Sequence, residues 1–345
     1  MNGIILDLPF SINFIVEKLN NPGCIIENLA NYEAEEICKD IPIAKGEECI
    51  HHLEFAFQRE INFYEMFERK SHDFKLPKFY YGYPYSRKHT KGIAIIEDLT
   101  SKASNPRMLP GLTNKQVEAV IDELAKINAI AWKNNSNWFQ DFQEDDDKDQ
   151  FMKDMYKEAQ GLVKIQPEIF TNILERAKSF FTYETYQQTC YREDKYGFPP
   201  GLVHADLWAA NIMFARDSNG TLTSELIAII DWQDVHPGSP CEDIARLLSA
   251  NTNAEYRRTN TKRLLEFYME RVKHYNNGKA PFNFEQLLDA YKGCLGYTFA
   301  YLSFGAPYYY DTPHVVDGLH PGEYKEELLN RVRLFFEDVL EEYGL

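Results

Sequence analysis

Residues 202 to 233 constrain this chain more than any other stretch. Leu202-Val-His-Ala-Asp-Leu-Trp-Ala-Ala-Asn-Ile-Met-Phe214 is followed by a polar turn and then by Leu226-Ile-Ala-Ile-Ile-Asp-Trp-Gln233. The apolar run Ile227 to Ile230, bounded by turn residues, predicts a buried strand with Asp231 at its C-terminal end. A carboxylate in that place is costly unless something cationic meets it. Asn211-Ile-Met-Phe-Ala215 predicts a second short strand, and Asp217-Ser-Asn-Gly220 between the two carries an Asn-Gly reversal signal. Closing that hairpin brings Asn211 and Asp231 to the same end. Asp206, five positions before Asn211, lies on the loop leading in.

A hard cation such as Mg²⁺ takes one or two carboxylate or amide oxygens together with substrate phosphates and retained waters. Asn211 and Asp231 suit that need. The spacing His-x-Asp-x-x-x-x-Asn, followed by a strand ending in Asp, matches the catalytic-loop and metal-loop pair of kinases. In that pattern Asp206 accepts or orients the proton of the acceptor hydroxyl. The wording His204-Ala-Asp-Leu-Trp with Ile230-Asp-Trp-Gln departs from protein kinases. It resembles the small-molecule kinases of the aminoglycoside phosphotransferase and choline kinase superfamily, and most closely the CHK kinase-like, ecdysteroid kinase-like branch. A buried hairpin with incidental acids is the competing reading. The gathering of polar residues at one strand end, instead of on a solvated face, argues against it.

The resemblance implies an α+β, two-lobed protein kinase-like fold. A small β-rich nucleotide-binding lobe, shortened at its N-terminus, is expected over residues 1–98, and a large, mainly helical catalytic and acceptor-binding lobe over 99–345. It further implies ATP and Mg²⁺ as cofactors and transfer of the γ-phosphate to a hydroxyl of a small molecule, a steroid, a choline-like amine or another metabolite.

A chain of 345 residues can bury one large core or two lobes, and 44% hydrophobic with 26% charged residues is ordinary for a globular protein. No run approaches the roughly 18 apolar residues of a membrane span, and the first residues lack a basic segment before an apolar one. Neither a membrane segment nor a secretory signal is expected. The six cysteines are dispersed without a Cys-x-x-Cys pair, which suits reduced thiols and a cytoplasmic location. A formal charge of −16 argues against nucleic acid as a partner. It leaves room for a cationic or neutral acceptor.

Along the chain, Asn13 to Lys18 reads as a strand. Kinases of the resembling superfamily carry a phosphate-holding lysine on such a strand, and Lys18 is the candidate, with Glu17 the alternative in register. Gly3, Gly23 and Gly46 are the only glycines before residue 80 and are far apart, so the phosphate-covering hairpin is expected to be missing or very short. His51 to Arg69 reads as an amphipathic helix with Leu53, Phe57, Ile61 and Tyr64 on one stripe. Glu60 falls on that stripe, and the resemblance makes it the ion-pair partner of the phosphate lysine. Lys78–Tyr83 and Lys91–Glu97 read as strands, and Ile96, Glu97, Asp98 and Leu99 resemble the hinge that meets adenine through backbone groups.

Thr113-Asn-Lys-Gln116 is a capping-box pattern opening a core helix. The acidic run 141–149 reads as a solvated loop, and the stretch from Asp149 to about Tyr191 as helical with a break at Pro167. In His236-Pro-Gly-Ser-Pro-Cys-Glu-Asp243-Ile-Ala-Arg a loop leads into a helix. By the resemblance Asp243 braces the catalytic loop. By its place alone it would be a carboxylate in a helix's first turn. Residues 255–276, 283–304 and 321–343 read as helices. The aromatic stretch Phe299 to Tyr310, together with Trp208 and Trp232, supplies candidates for the acceptor pocket, with Tyr301 and Phe304 foremost. The other reading of such a stripe is core. His204 is expected to brace the loop more than to move protons, although histidine is a common general base. Trp208 stands where protein kinases carry a phosphate-contacting lysine, which favours a small acceptor.

Two further readings stand beside the kinase. One is a kinase-like binding protein, a pseudokinase, in which loss of the phosphate cover has ended efficient turnover. The other is a metal-dependent hydrolase using His204, Asp206 and Asp231, weakened because the remaining histidines are not spaced as metal ligands.

Overall fold

The computed structural model describes residues 47–68, 74–84, 92–133, 138–142, 148–317 and 321–345. Lys18 and Glu17, the glycine-poor N-terminal stretch and most of the acidic run lie outside the described residues. Of the described residues, 47–68 and 77–99 belong to one compact unit, and 74–76 with 100–345 to a second.

In the first unit, α1 (Glu47–Glu68) packs on a hairpin of β1 (Phe79–Tyr83) and β2 (Ile93–Ile96). Its buried face holds Ile61 and Tyr64 as the stripe requires, joined by Phe63 and Phe67, whereas Phe57 is half-buried. The Tyr64 ring stacks on Phe79 with centroids 5.4 Å apart. Helix and strand meet at Gly82, where a Cβ would fall 2.7 Å from Phe79 and 2.8 Å from Ile61. The strands pair antiparallel, Tyr83 opposite Ile93. Beyond β2 the pairing continues, with the Glu97 N–H donating to the Lys78 carbonyl at 2.8 Å and the Glu97 carboxylate accepting from the Lys78 N–H at 3.2 Å. Glu97 thus closes the hairpin. Ile96 and Asp98 are exposed and Leu99 is buried.

The second unit is mainly helical. Its longer sheet is β3 (Ala103–Ser104), β5 (Ile212–Arg216) and β6 (Leu222–Ile229), in that order, and a separate pair joins β4 (Gly201–Val203) to β7 (His236–Gly238). The helices are α2 (Asn114–Lys133), α3 (Lys148–Ile165), α4 (Pro167–Arg176), α5 (Tyr183–Thr189), α6 (Cys241–Asn251), α7 (Ala254–Tyr275), α8 (Phe284–Asp311), α9 (Pro313–Val316) and α10 (Pro321–Glu342). The capping box at Thr113 forms, its backbone N–H donating to the Gln116 side chain at 2.9 Å. Pro167 opens α4 after a one-residue break, where its missing N–H costs nothing. The helical stretch then breaks again before α5, which ends at Thr189.

One expectation is corrected by α8. The helix expected over 283–304, whose end the aromatic stretch overlaps, runs on to Asp311 with Pro307 inside it. Phe299, Leu302, Ala306 and Tyr309 continue the three-and-four spacing of a buried face, which outweighs the lost hydrogen bond. Room for the proline ring comes from Gly161 on α3, where any Cβ would stand 2.7 Å from that of Pro307. Helix α8 accordingly packs on α3, α5, α6 and α10 and forms the spine of the unit. Among the described residues no helix is long and apolar enough to cross a membrane.

Candidate active site

The hairpin β5–β6 forms where its Asn-Gly turn and apolar strands require. Ile212 pairs with Ile229, and the Ile230 N–H donates to the Asn211 carbonyl at 2.9 Å. Asn211 therefore stands opposite Ile230, and Asp231 follows one residue on. Asp231 has φ 66°, a left-handed conformation that a residue with a Cβ adopts only when its surroundings impose it.

The loop Val203 to Asn211 is fixed at almost every position. Ala205 also has a positive φ, 72°. Both oxygens of Asp243 are spent on holding this turn, accepting from the His204 N–H at 2.8 Å and the Ala205 N–H at 2.9 Å. Further on, Asn251 donates to the Leu207 carbonyl at 3.0 Å, and Asn105 donates to the carbonyls of Ala210 and Ile212. His204 is wholly buried. Its Nε2 donates to the Ile230 carbonyl at 2.9 Å, so Nδ1 carries the lone pair that accepts from the Asp206 N–H at 3.2 Å. Burial lowers this imidazole to about 4, against the pull of the Ile230 carbonyl. Both ring nitrogens are engaged within the protein, and the ring ties the loop to the end of β6.

Asp206 is brought together with Asn211 and Tyr301. Asn211 Nδ2 donates to the Asp206 carbonyl at 2.8 Å and to its carboxylate Oδ2 at 3.0 Å, and the Tyr301 hydroxyl donates to Oδ1 at 3.3 Å. Burial, and after it the charge of Asp234, pushes the Asp206 carboxyl up to about 6, against Arg246, Tyr301 and Asn211. Asp206 faces a cavity whose lining includes Trp208, Arg246, Thr298, Tyr301 and Tyr309. Trp208 stacks on Tyr309 with centroids 5.0 Å apart. The other two pocket candidates lie elsewhere. Trp232 is wholly buried, its ring against His204 at 4.5 Å and its Nε1 donating to the Ile229 carbonyl at 3.0 Å. An indole in a strand-end core has no face left for a ligand. Phe304 is half-buried beside Tyr301, ring centroids 6.0 Å apart, and is not among the lining residues.

Helix α6, every residue of which is buried, organises the site from below. Polar side chains on such a helix must find partners inside the protein. Asp243 and Asn251 find them on the loop. Glu242 Oε1 accepts from Arg246 Nε at 3.1 Å and Nη2 at 3.0 Å, and the guanidinium lies 3.2 Å from the centroid of the Tyr301 ring. Burial would raise the Glu242 carboxyl, and His236 and Arg246 outweigh it and hold it below its ordinary value. Arg246 thus connects Glu242 to the tyrosine that donates to Asp206. Arg246, Glu242 and Tyr309 were not singled out in the sequence. A glutamate and an arginine four apart are equally the pattern of a solvated helix pair, so the spacing did not mark them as buried. The remaining candidates fall in the first unit, with Glu60 half-buried on α1 and Ile96 to Leu99 at the end of the hairpin.

Each unit combines helices with short antiparallel strands, the α+β composition that the sequence pattern implied. The chain belongs to the family described as "DUF1679: Uncharacterized oxidoreductase dhs-27", which matches residues 25–344. It is 27% identical over 297 residues to "Uncharacterized kinase-like protein D1044.1" of Caenorhabditis elegans, covering 81% of this chain and 75% of that protein. It is 25% identical over 236 residues to "Uncharacterized oxidoreductase dhs-27" of the same organism, covering 68% of this chain and 29% of that much longer protein. Among solved structures it is similar to a choline kinase from Cryptosporidium parvum Iowa II, with 12% identity, TM-score 0.49 and coverage of 83% of this chain and 79% of that one. It is also similar to a putative aminoglycoside phosphotransferase from Ralstonia eutropha JMP134, with 12% identity, TM-score 0.47 and coverage of 83% and 84%.

Proposed function

We propose that this chain is an ATP-dependent phosphotransferase that moves the γ-phosphate to a hydroxyl of a small molecule. The observation that carries the reading is Asp206, held by Asn211 and Tyr301 in the wall of a cavity, on a loop whose partner strand runs into Asp231. Phosphoryl transfer needs positioning and charge neutralisation more than covalent help. An acceptor hydroxyl in the cavity would give its proton to Asp206, and a carboxyl near 6 is mostly ionised at neutral pH while still able to take one. With its amide nitrogen spent on Asp206, Asn211 has its carbonyl oxygen to offer, and Asp231 adds a carboxylate. That is the hard-oxygen donor set Mg²⁺ takes. Bound there, Mg²⁺ would neutralise charge on the phosphates. Asp243 and His204 position the loop and take no part in the transfer.

The same proposal assigns Ile96 to Leu99 to adenine, Lys18 with Glu60 to the phosphates, and Trp208 and Tyr301 to the acceptor, with residues 1–98 and 99–345 as lobes of a cytoplasmic enzyme. The kinase-like name of the relative D1044.1 agrees with it. The oxidoreductase name borne by dhs-27 finds less support. No two glycines of this chain stand one residue apart, as a dinucleotide-binding turn requires.

The test is a thermal-shift titration with ATP and Mg²⁺ on the wild type and Asp231→Ala, followed by γ-phosphate transfer to panels of small alcohols with Asp206→Asn as control. Nucleotide at about 100 times its dissociation constant stabilises by roughly 2.7 kcal/mol. A Mg²⁺-dependent shift that the Asp231 variant lacks, with transfer that the Asp206 variant lacks, supports the enzyme. A shift without transfer supports the binding protein, and no shift in folded protein refutes both.

A further inference from the structure

Beneath the candidate active site, three side chains from separate elements converge where the proposed reaction does not use them. Cys190 follows the last residue of α5, His236 opens β7 and Glu242 lies in the first turn of α6. His236 Nε2 stands 3.6 Å from Cys190 Sγ and 3.2 Å from Glu242 Oε2, and Sγ to Oε2 is 4.0 Å. These three atoms form one compact triangle of metal-ligating types. Tetrahedral bonds of about 2.3 Å to sulfur and about 2.0–2.2 Å to nitrogen and oxygen require ligand–ligand edges of about 3.3–3.6 Å. The triangle meets that size with one edge to close by about half an ångström.

Each ligand is also oriented from behind. His236 Nδ1 faces the Pro237 carbonyl at 2.9 Å, so its proton sits there, and Nε2 is the atom turned towards the sulfur and the carboxylate. Donation from the far ring nitrogen to a backbone carbonyl is how metal-binding histidines are held. Glu242 gives Oε1 to two Arg246 N–H groups and keeps Oε2 for the triangle. Backbone bonds fix the rest, since the Cys190 N–H donates to the Tyr186 carbonyl at 2.9 Å and His236 pairs with Val203 across β4–β7. Cys190 and Glu242 are buried, while the His236 side chain keeps 12% exposure.

We infer that Cys190, His236 and Glu242 form a binding site for one zinc-type divalent transition metal, separate from the Asn211 and Asp231 oxygens. A thiolate with an imidazole and a carboxylate selects zinc over Mg²⁺, which takes oxygen ligands alone. Binding displaces two protons to solvent, one from the Cys190 thiol and one from His236 Nε2, and forms one metal–sulfur, one metal–nitrogen and one metal–oxygen bond, with the fourth position left to water. The metal joins the ends of α5, β7 and α6, and α6 holds the Asp206 loop.

The test uses the full chain with zinc and cobalt(II) alone. After expression with added zinc and desalting, elemental analysis should return about one zinc per chain. X-ray absorption at the zinc edge should show one sulfur with nitrogen and oxygen neighbours at about 2.0–2.3 Å. Cobalt(II) added to chelator-treated protein should give a near-ultraviolet thiolate-to-cobalt band that Cys190→Ser abolishes, and His236→Asn should weaken cobalt binding at least tenfold. Wild-type protein that binds neither metal overturns the inference and leaves an imidazolium held by Glu242 as the site's own cation. Zinc with no sulfur neighbour, or bound equally by the two variants, also overturns it. Because the absorption measurement needs only wild-type protein, the inference stays exposed to refutation even where a variant does not fold.

Discussion

Replacing Asp243 with alanine should release the loop that carries Asp206. The carboxyl group accepts from two buried backbone N–H groups, at 2.8 and 2.9 Å, and among the described residues nothing else bonds those donors. A buried donor left without a partner costs roughly 1–3 kcal/mol, so the pair costs about 4 kcal/mol at mid-range. Relaxation of Ala205 from its left-handed conformation returns about 1 kcal/mol, leaving a net loss of about 3 kcal/mol. Urea denaturation at pH 4.5 measures this as a shift in midpoint at unchanged slope. The pH dependence supplies a second reading. Burial pushes the Asp243 carboxyl up to about 7, against the two N–H donors, so the native state keeps a proton that the unfolded chain releases near 4. Its contribution to stability is therefore greatest below about 4 and falls as pH rises to about 7. The variant lacks that fall, roughly 3 kcal/mol between pH 4.5 and 7, so the deficit shrinks to near zero over the same interval and is flat above it. A deficit under about 0.5 kcal/mol at pH 4.5, or one that widens with rising pH, refutes the argument.

Asp206 acting as proton acceptor predicts a phosphoryl-transfer rate that rises with pH through about 6, where burial and Asp234 have pushed its carboxyl, and Tyr301→Phe should move the midpoint upward by removing a donor that favours the carboxylate. A pH–rate profile of both proteins checks this, and an unmoved midpoint contradicts it. Arg246→Met leaves Glu242 buried with His236 as its remaining cationic partner and should cost about 3–5 kcal/mol by urea denaturation, part of it regained in the double variant with Glu242→Gln. Arg331→Met should cost about 2–5 kcal/mol, because Arg331 is buried and donates to the carbonyls of Met108, Ala250 and Pro110, which the variant leaves dry. Differential scanning calorimetry that finds Arg331→Met as stable as the wild type would remove that assignment.

The hairpin, the loop before it and the helix after it were legible because their signals are local. An Asn-Gly turn, an apolar run ending in Asp and a proline-bounded helix start each fix their own neighbourhood. What escaped the sequence depends on burial from several sides. Trp208 and Trp232 look alike as exposed-or-buried tryptophans beside a catalytic motif, yet one stacks on Tyr309 at the cavity and the other closes the core against His204. The helix past Pro307 is kept by its buried face, and the missing Cβ of Gly161, far away in sequence, makes room for the proline ring. Arg246 was invisible for the opposite reason. A charged residue on a helix reads as solvated until the burial of every neighbour on that helix is known.

The burial of α6 has a kinetic consequence. The amide hydrogens of His204 and Ala205 are bonded to a side chain of that helix, and its Asn251 holds Leu207, so those bonds depend on the helix staying in place. A segment enclosed on every side opens only with the structure around it. The loop carrying Asp206 should therefore lack the independent fraying usual for surface loops. Its two bonded amides should exchange with deuterium at the pace of the α6 backbone, as members of one cooperative unit with the unit's core.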